Sequence, residues 1–288
     1  MACKGDMYLF GRRSGYSYCR CSACGTLQLF PMPNETGMSR SYHLEYAAAS
    51  HYESDANICR VSAGTYYRSI VRVLKDYKVE GMVVDYGAGW GGLCEILIEN
   101  GFKCLGVEIS HEMASYCRSR DIPVRCGDIT TVEDAKFSAL VLCTVFEHLV
   151  NHDRWLAQAN HLLTPNGLLI TLQPTAAFAN LMGRVLRLGN LRAPLPRLQQ
   201  VFCPPWHTAL FSLQGMKILA NRHGFSVLEI RPAPQGRAGG LTGLFQRSLE
   251  LINRFGWHLL KESWPLLVAH IFVLRKMDRI PKEGTDLI

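Results

Sequence analysis

The 288-residue sequence has no apolar run of the roughly 18–20 residues that a membrane span requires. Charged side chains are sparse, 19% against 48% apolar residues, and that balance excludes a disordered or fibrous chain. There is no internal repeat and no long low-complexity tract. Arg12, Arg13 and Arg20 crowd the start with no secretory apolar block behind them, so a cytoplasmic protein is expected. Acidic residues are scarce in the last third: residues 184–288 hold 15 Lys/Arg and 6 Asp/Glu, a balance of +9, whereas residues 1–183 balance at −2. Such a basic segment attracts an anionic substrate, an anionic lipid surface or nucleic acid, and charge alone does not choose among them. Cysteine is not scarce, but the count of 11 is odd. Cys94, Cys104, Cys117, Cys126 and Cys143 lie inside apolar segments and read as small core residues in a reducing compartment.

The length allows one large domain with an appendage, or two small ones. Residues 1–60 read as irregular. From Thr65 to Lys78 the apolar residues recur at helical spacing. Strands and helices then alternate: Met82–Val84, Leu93–Glu99, Cys104–Val107, a helix capped by Ser110, Val124–Cys126, Ala139–Leu142, Arg154–Leu163 and Leu168–Thr171. Pro165-Asn166-Gly167 reads as a turn before the last of these. A helix near Leu213–His223, a strand at Ser226–Ile230 and a closing strand at Ile271–Leu274 follow. This alternation predicts an α/β fold, a parallel sheet covered on both faces.

The most informative segment is Asp85-Tyr86-Gly87-Ala88-Gly89-Trp90-Gly91-Gly92, in which a strand ends in glycines and opens a helix. That design brings backbone close to a ligand and aims helical N–H groups at it. Gly87, Gly89 and Gly92 also satisfy G-x-G-x-x-G, with Glu108 about 20 residues on, so an NAD-dependent oxidoreductase is a live alternative. Asp85 stands two residues before the first glycine, where a carboxylate suits a cationic ligand and is not required by a diphosphate. Asp128 falls at the end of the third strand, and Phe146-Glu147-His148-Leu149 follows the fourth, at the edge where open α/β sheets bind ligands.

Taken together, these motifs resemble the class I S-adenosylmethionine-dependent methyltransferases over about Gly81 to Pro232. Asp85 to Gly91 is similar to the family's first motif, Glu108 to its ribose-binding acid, and Gly127-Asp128-Ile129 to its adenine-binding segment. Val145 to Leu149 and Leu162 to Ile170 resemble the segments after the fourth strand and into the fifth. Ser138 departs from the pattern, standing where the family usually has aspartate. The resemblance implies a Rossmann-like, seven-stranded, mostly parallel sheet with helices on both faces and an antiparallel last strand. It implies S-adenosyl-L-methionine as cofactor, held by Asp85, Gly87, Ala88, Gly89, Glu108, Ile109, Asp128, Ile129, Cys143 and Thr144. It also divides the chain into a Cys-containing extension and lid (1–60) and a methyltransferase domain (61–288) with an amphipathic helical insert at about 239–265. The expected activity is methyl transfer to oxygen or carbon of a small-molecule or glycan-type acceptor. A donor-binding regulatory protein without turnover is the rival of another class.

Two histidines are candidates for proton removal. His148 follows the strand whose end faces the donor, and its alternative is a loop-stabilising role. His207, in Trp206-His207-Thr208-Ala209-Leu210-Phe211-Ser212, resembles an element over the acceptor in relatives, and capping of the helix near Ser212 by Trp206 and His207 is as good a reading. Some quinone-biosynthesis relatives hold a metal near an equivalent Glu-His pair with a further upstream acid. Thr144 occupies that upstream position here, and no metal is expected.

Cys21-Ser22-Ala23-Cys24 is one zinc knuckle, and the segment resembles a zinc-ribbon extension before some methyltransferases. Tetrahedral zinc needs four ligands, and the preceding half offers only Cys3; a metal-free remnant is expected. Tyr42 and Tyr46 resemble a lid helix. In Leu241–Trp264, Leu241, Phe245, Leu249, Ile252, Phe255 and Leu259 recur every three or four positions, with Arg247, Arg254 and Lys261 seven apart. Packing on the domain or in a homodimer is favoured over peripheral contact with the inner face of a membrane. Gly239-Gly240 and Gly256 argue for flexibility there. No nucleic-acid-binding module is visible.

Overall fold

The computed structural model describes residues 2–3, 5–38, 52–132, 136–181, 201–234 and 240–278. Two sheets organise them. In the larger, strands β4 (Met82–Tyr86), β5 (Lys103–Glu108), β6 (Val124–Cys126), β7 (Phe137–Cys143), β8 (Leu163–Pro174), β10 (Phe225–Pro232) and β11 (Ala269–Lys276) run in the order β10-β11-β8-β7-β4-β5-β6. The five strands from β8 to β6 are parallel, and β11 pairs antiparallel with both β8 and β10. This is the expected Rossmann-like seven-stranded sheet with its antiparallel last strand.

Strand residues alternate between two apolar layers, which is why the central strands read as nearly continuous hydrophobic runs. On one face Val83, Ala139, Val141 and Ile170 meet Ile70 and Leu74 of α1 (Tyr52–Asp76), Leu93 and Leu97 of α2 (Gly92–Glu99) and Cys117 of α3 (His111–Ser119). On the other, Val84, Leu140, Leu142 and Phe272 meet Trp155 and Leu156 of α4 (His152–Leu162). Met216 and Leu219 of α6 (Leu213–Arg222), which follows the short α5 (Ala176–Leu181), complete that layer. As expected, Ser110 caps α3 by accepting the Met113 N–H. The cap of α6 is Ser212 itself, not Trp206 or His207: its side chain accepts from the Gly215 N–H. Pro165-Asn166-Gly167 does not end the chain's run but is carried inside β8, where the pairing with β7 slips between Phe137 and Ala139.

The first thirty residues are not irregular. β1 (Met7–Arg13), β2 (Tyr16–Cys21) and β3 (Leu27–Phe30) form an antiparallel meander, and β3 pairs with the two-residue β9 (Ala209–Leu210). Ser14 and Gly15 both take positive φ (48° and 80°), the backbone that a tight hairpin needs. Phe10, Tyr18, Leu27 and Leu29 pack with Phe202 and Leu210 in a small core of their own.

Helix α7 (Gly240–Leu260) leaves the sheet after Pro232 and returns at Ala269. Gly256 within it is a packing device and not a flexible joint: a side chain there would overlap the Trp264 indole.

Candidate functional site

The site lies at the carboxyl edge of the parallel strands, where β4, β5 and β7 end beside one another. Both Gly87 and Ala88 donate their N–H groups to the Val107 carbonyl, at 2.8 and 3.1 Å. Gly89 donates to Glu108 Oε2 at 2.7 Å, and Ser110 donates its N–H to Oε1 at 2.8 Å. Glu108 is thereby held by backbone at both oxygens, and each oxygen keeps lone-pair capacity for a ligand hydroxyl. Gly89 has φ +54°, and a Cβ built there would meet nothing within 4 Å, so the turn borders open space. Gly87 is different: a Cβ would come 2.6 Å from Val145 Cγ2, and its absence lets the loop after β7 pack on the turn.

Asp85 is 2% exposed. Burial raises its pKa to about 7; the Cys94 thiol, donating at 3.5 Å, opposes that rise, and the Glu108 charge adds to it. Two carboxylates whose charges oppose each other, with no basic side chain paired to Asp85 among the described residues, suit a ligand that brings positive charge. The open cradle at Gly89 and this acid pair fit the donor implied by the sequence.

Gly127 donates its N–H to the Glu108 carbonyl at 2.8 Å and so places Asp128 and Ile129 beside the same strand end. Asp128 Oδ1 accepts from the N–H and hydroxyl of Thr130, at 2.9 and 2.6 Å. Ile129 is buried, while Ile109 is 37% exposed. Across the crevice Cys143 ends β7 half-buried, its thiol pushed well above the usual range by burial. Thr144 follows with φ +57°, a left-handed conformation that costs a non-glycine residue about 1–2 kcal/mol. Its N–H donates to the Leu172 carbonyl at 2.7 Å, tying the bend to β8.

The two candidate histidines, 59 positions apart, come together. The rings of His148 and His207 meet edge to face with centroids 4.9 Å apart. The link is Thr208, which donates from its backbone N–H and its hydroxyl to the Glu147 carbonyl, at 2.8 and 3.0 Å. Burial lowers the His148 pKa to about 3, with His207 adding to the effect, and burial also lowers His207. Both rings are therefore neutral near pH 7. The Val201 carbonyl lies 2.8 Å from His207 Nδ1, which places the ring proton there and leaves Nε2 as the acceptor.

Glu147 precedes His148 in the short turn after β7. Its carboxyl is 2% exposed, Oε2 has no hydrogen-bond partner among the described residues, and burial raises its pKa to about 8. Oε1 lies 3.9 Å from His148 Nε2, and ligand atoms of Glu147, His148 and His207 all fall within 4.8 Å of one another. Nothing local in the sequence marks this clustering, because His207 and Thr208 arrive through β9.

The cysteines of the small sheet also converge: Cys3 Sγ lies 3.2 Å from Cys21 Sγ, and Cys24 joins them. Burial raises Cys21, but hydrogen bonds from Cys24, Cys3 and Ala23 outweigh it and bring the pKa down to about 7, while burial takes Cys3 up to about 11. Among the described residues no fourth ligand completes a zinc tetrahedron. The expected lid tyrosines Tyr42 and Tyr46 lie outside the described residues.

A family model described as a methyltransferase domain matches residues 60–230. No curated protein sequence matches the chain. Among solved structures, the chain is similar to 1,6-didemethyltoxoflavin-N1-methyltransferase of Burkholderia thailandensis, at 12% identity over 95% of this chain and 100% of that one, TM-score 0.55. It is also similar to the magnesium protoporphyrin IX methyltransferase of Synechocystis, at 14% identity over 84% and 95%, TM-score 0.50. At these identities the likeness is one of fold.

Proposed function

The chain belongs to the methyltransferase-domain family of class I, S-adenosylmethionine-dependent enzymes, and we propose that it methylates oxygen or carbon of a small-molecule or glycan-type acceptor. The family match does not favour the dehydrogenase alternative. The observation that carries the acceptor proposal is the pair of half-buried, neutral imidazoles, His148 and His207, at the carboxyl edge of β7. A hydroxyl or an acidic C–H must lose a proton to become a nucleophile, whereas a neutral amine already has its lone pair. A positioned base is worth roughly 10²–10⁴-fold in such a step.

In this reading Glu108 accepts from the ribose hydroxyls, Asp128 and Ile129 border the adenine, and Asp85 supplies negative charge beneath the turn formed by Gly87, Ala88 and Gly89. Cys143 and Thr144 line the opposite wall. The bound donor supplies an electrophilic methyl group. His207 Nε2, kept bare by the bond at Nδ1, takes the acceptor proton, and His148 holds the ring's orientation from the side. Trp206 gives an apolar wall. Most of the remaining acceleration comes from alignment of nucleophile, methyl and leaving sulfur, which the two loops tied through Thr208 hold in place.

The test is twofold. Calorimetry with S-adenosylhomocysteine and with NAD should show binding of the first; tight binding of NAD alone overturns the donor. Incubation with methyl-labelled donor and panels of phenolic, enolisable and sugar hydroxyl acceptors should transfer label to oxygen or carbon. Donor binding with label moved only to amines, or to no acceptor, would sink the acceptor reading.

A further inference from the structure

Packing and membrane contact are alternatives for the segment around residues 241–264 in its sequence; in the structure they belong to different faces of α7. The inner face is fixed. Asn253 is 3% exposed and accepts from Trp264 Nε1 at 2.9 Å, the Trp264 indole lies against Gly256, and the Trp257 ring meets that of buried His270 at 5.4 Å. The outer face then has no freedom to turn inward. On it Leu251, Ile252, Phe255 and Leu259 are 66%, 52%, 67% and 61% exposed, and at ~100° per residue they fall within an arc of about 100° of the helix surface. Four large apolar side chains in one patch are unlike the single exposed hydrophobics of an ordinary surface.

Charge says what covers them. Arg254 and His258 are exposed along one border of the patch, and Lys261 stands just past the helix end. Among the described residues Arg254 and Lys261 have no ion-pair partner, whereas the nearby acid Glu262 is taken by Lys217. Over residues 240–261 the charged side chains are Arg247, Arg254 and Lys261 against Glu250, a balance of +2. A second copy would set this positive border against itself; an anionic surface neutralises it.

We propose that α7 is an interfacial helix that docks the protein on an anionic lipid bilayer. Leu251, Ile252, Phe255 and Leu259 enter the boundary between headgroups and acyl chains, and Arg254 and Lys261 meet the lipid phosphates. The attachment points of α7 give the docking a direction. Pro232 pairs with His270, and Ala269 pairs with Pro174 at the end of β8, so the helix hangs from the same edge of the sheet that carries the site.

The experiment is co-sedimentation of the full chain with vesicles of phosphatidylglycerol and phosphatidylcholine, and with phosphatidylcholine alone, alongside sedimentation equilibrium without lipid. The expected result is binding to the anionic vesicles only. Phe255→Glu with Leu259→Glu lowers it about tenfold or more, and Arg254→Gln, a surface change that leaves the fold alone, lowers it about fivefold. Circular dichroism confirms that each variant is folded. Absence of binding to anionic vesicles, equal binding to both kinds, or a lipid-free dimer that Phe255→Glu with Leu259→Glu dissociates would each overturn the proposal.

Discussion

Gly89 donates its backbone N–H to the Glu108 carboxylate at 2.7 Å, joining the turn after β4 to the end of β5. The other oxygen of Glu108 is held by Ser110 at 2.8 Å. In Glu108→Gln one oxygen becomes an NH₂ group facing a backbone donor. Hydrogen bonds to charged groups contribute about 1.5–3 kcal/mol, so S-adenosylhomocysteine affinity should fall roughly 10- to 100-fold, with a lower melting temperature. Calorimetry and thermal unfolding on the same preparation check both.

Asp85 predicts a pH dependence. Its pKa is raised to about 7 by burial, with the Glu108 charge adding to the rise. With a raised folded-state pKa, its contribution to folding is complete below the ordinary aspartate value and is lost as pH rises through about 7. Binding of the positively charged donor runs the opposite way, because it needs the ionised carboxylate. Affinity for S-adenosylmethionine should fall about tenfold per unit below pH 7 and level off above it. In Asp85→Asn the affinity should be weak and flat with pH; an unchanged slope would assign the titration elsewhere.

Much of the layout of this candidate site is legible in the sequence because its signals are local. A strand, glycines and a helix in succession need no distant partner, and Asp85, Glu108 and Asp128 each stand at the end of a strand marked by its own apolar run. The small sheet was hidden for the opposite reason. In β1 only Phe10 is buried, so the strand shows no alternation, and the meander is completed by two residues from position 209. His207 meets His148 through that same long-range pairing, and Cys3 reaches Cys21 only after the hairpin has closed. Gly256 reads as a flexible point because helix propensity sees a weak residue where packing requires an absent side chain.

His148 and His207 should act as a unit in turnover and not in donor binding. His207→Gln is expected to lower kcat by roughly 10²–10⁴-fold and to remove the acid limb of the pH–rate profile, with S-adenosylhomocysteine affinity unchanged. His148→Gln should lower kcat as well, and the double variant should lose little more than His207→Gln alone. If both single variants keep wild-type kcat, the rings only brace the two loops.

Gly256→Ala sets two effects against each other. Helix propensity favours alanine by about 1 kcal/mol in a helix interior. Against it, the new methyl overlaps the Trp264 indole, whose ring atoms already occupy the position a Cβ would take. Overpacking costs about 1–3 kcal/mol and is relieved here only by moving Trp264, which also breaks its bond to Asn253. Packing should therefore win: the variant melts at a lower temperature, and tryptophan emission shifts to the red as Trp264 is expelled. A melting temperature above that of the wild type would mean that α7 is not seated on Trp264, and the exposed face assigned to the bilayer would lose its fixed orientation.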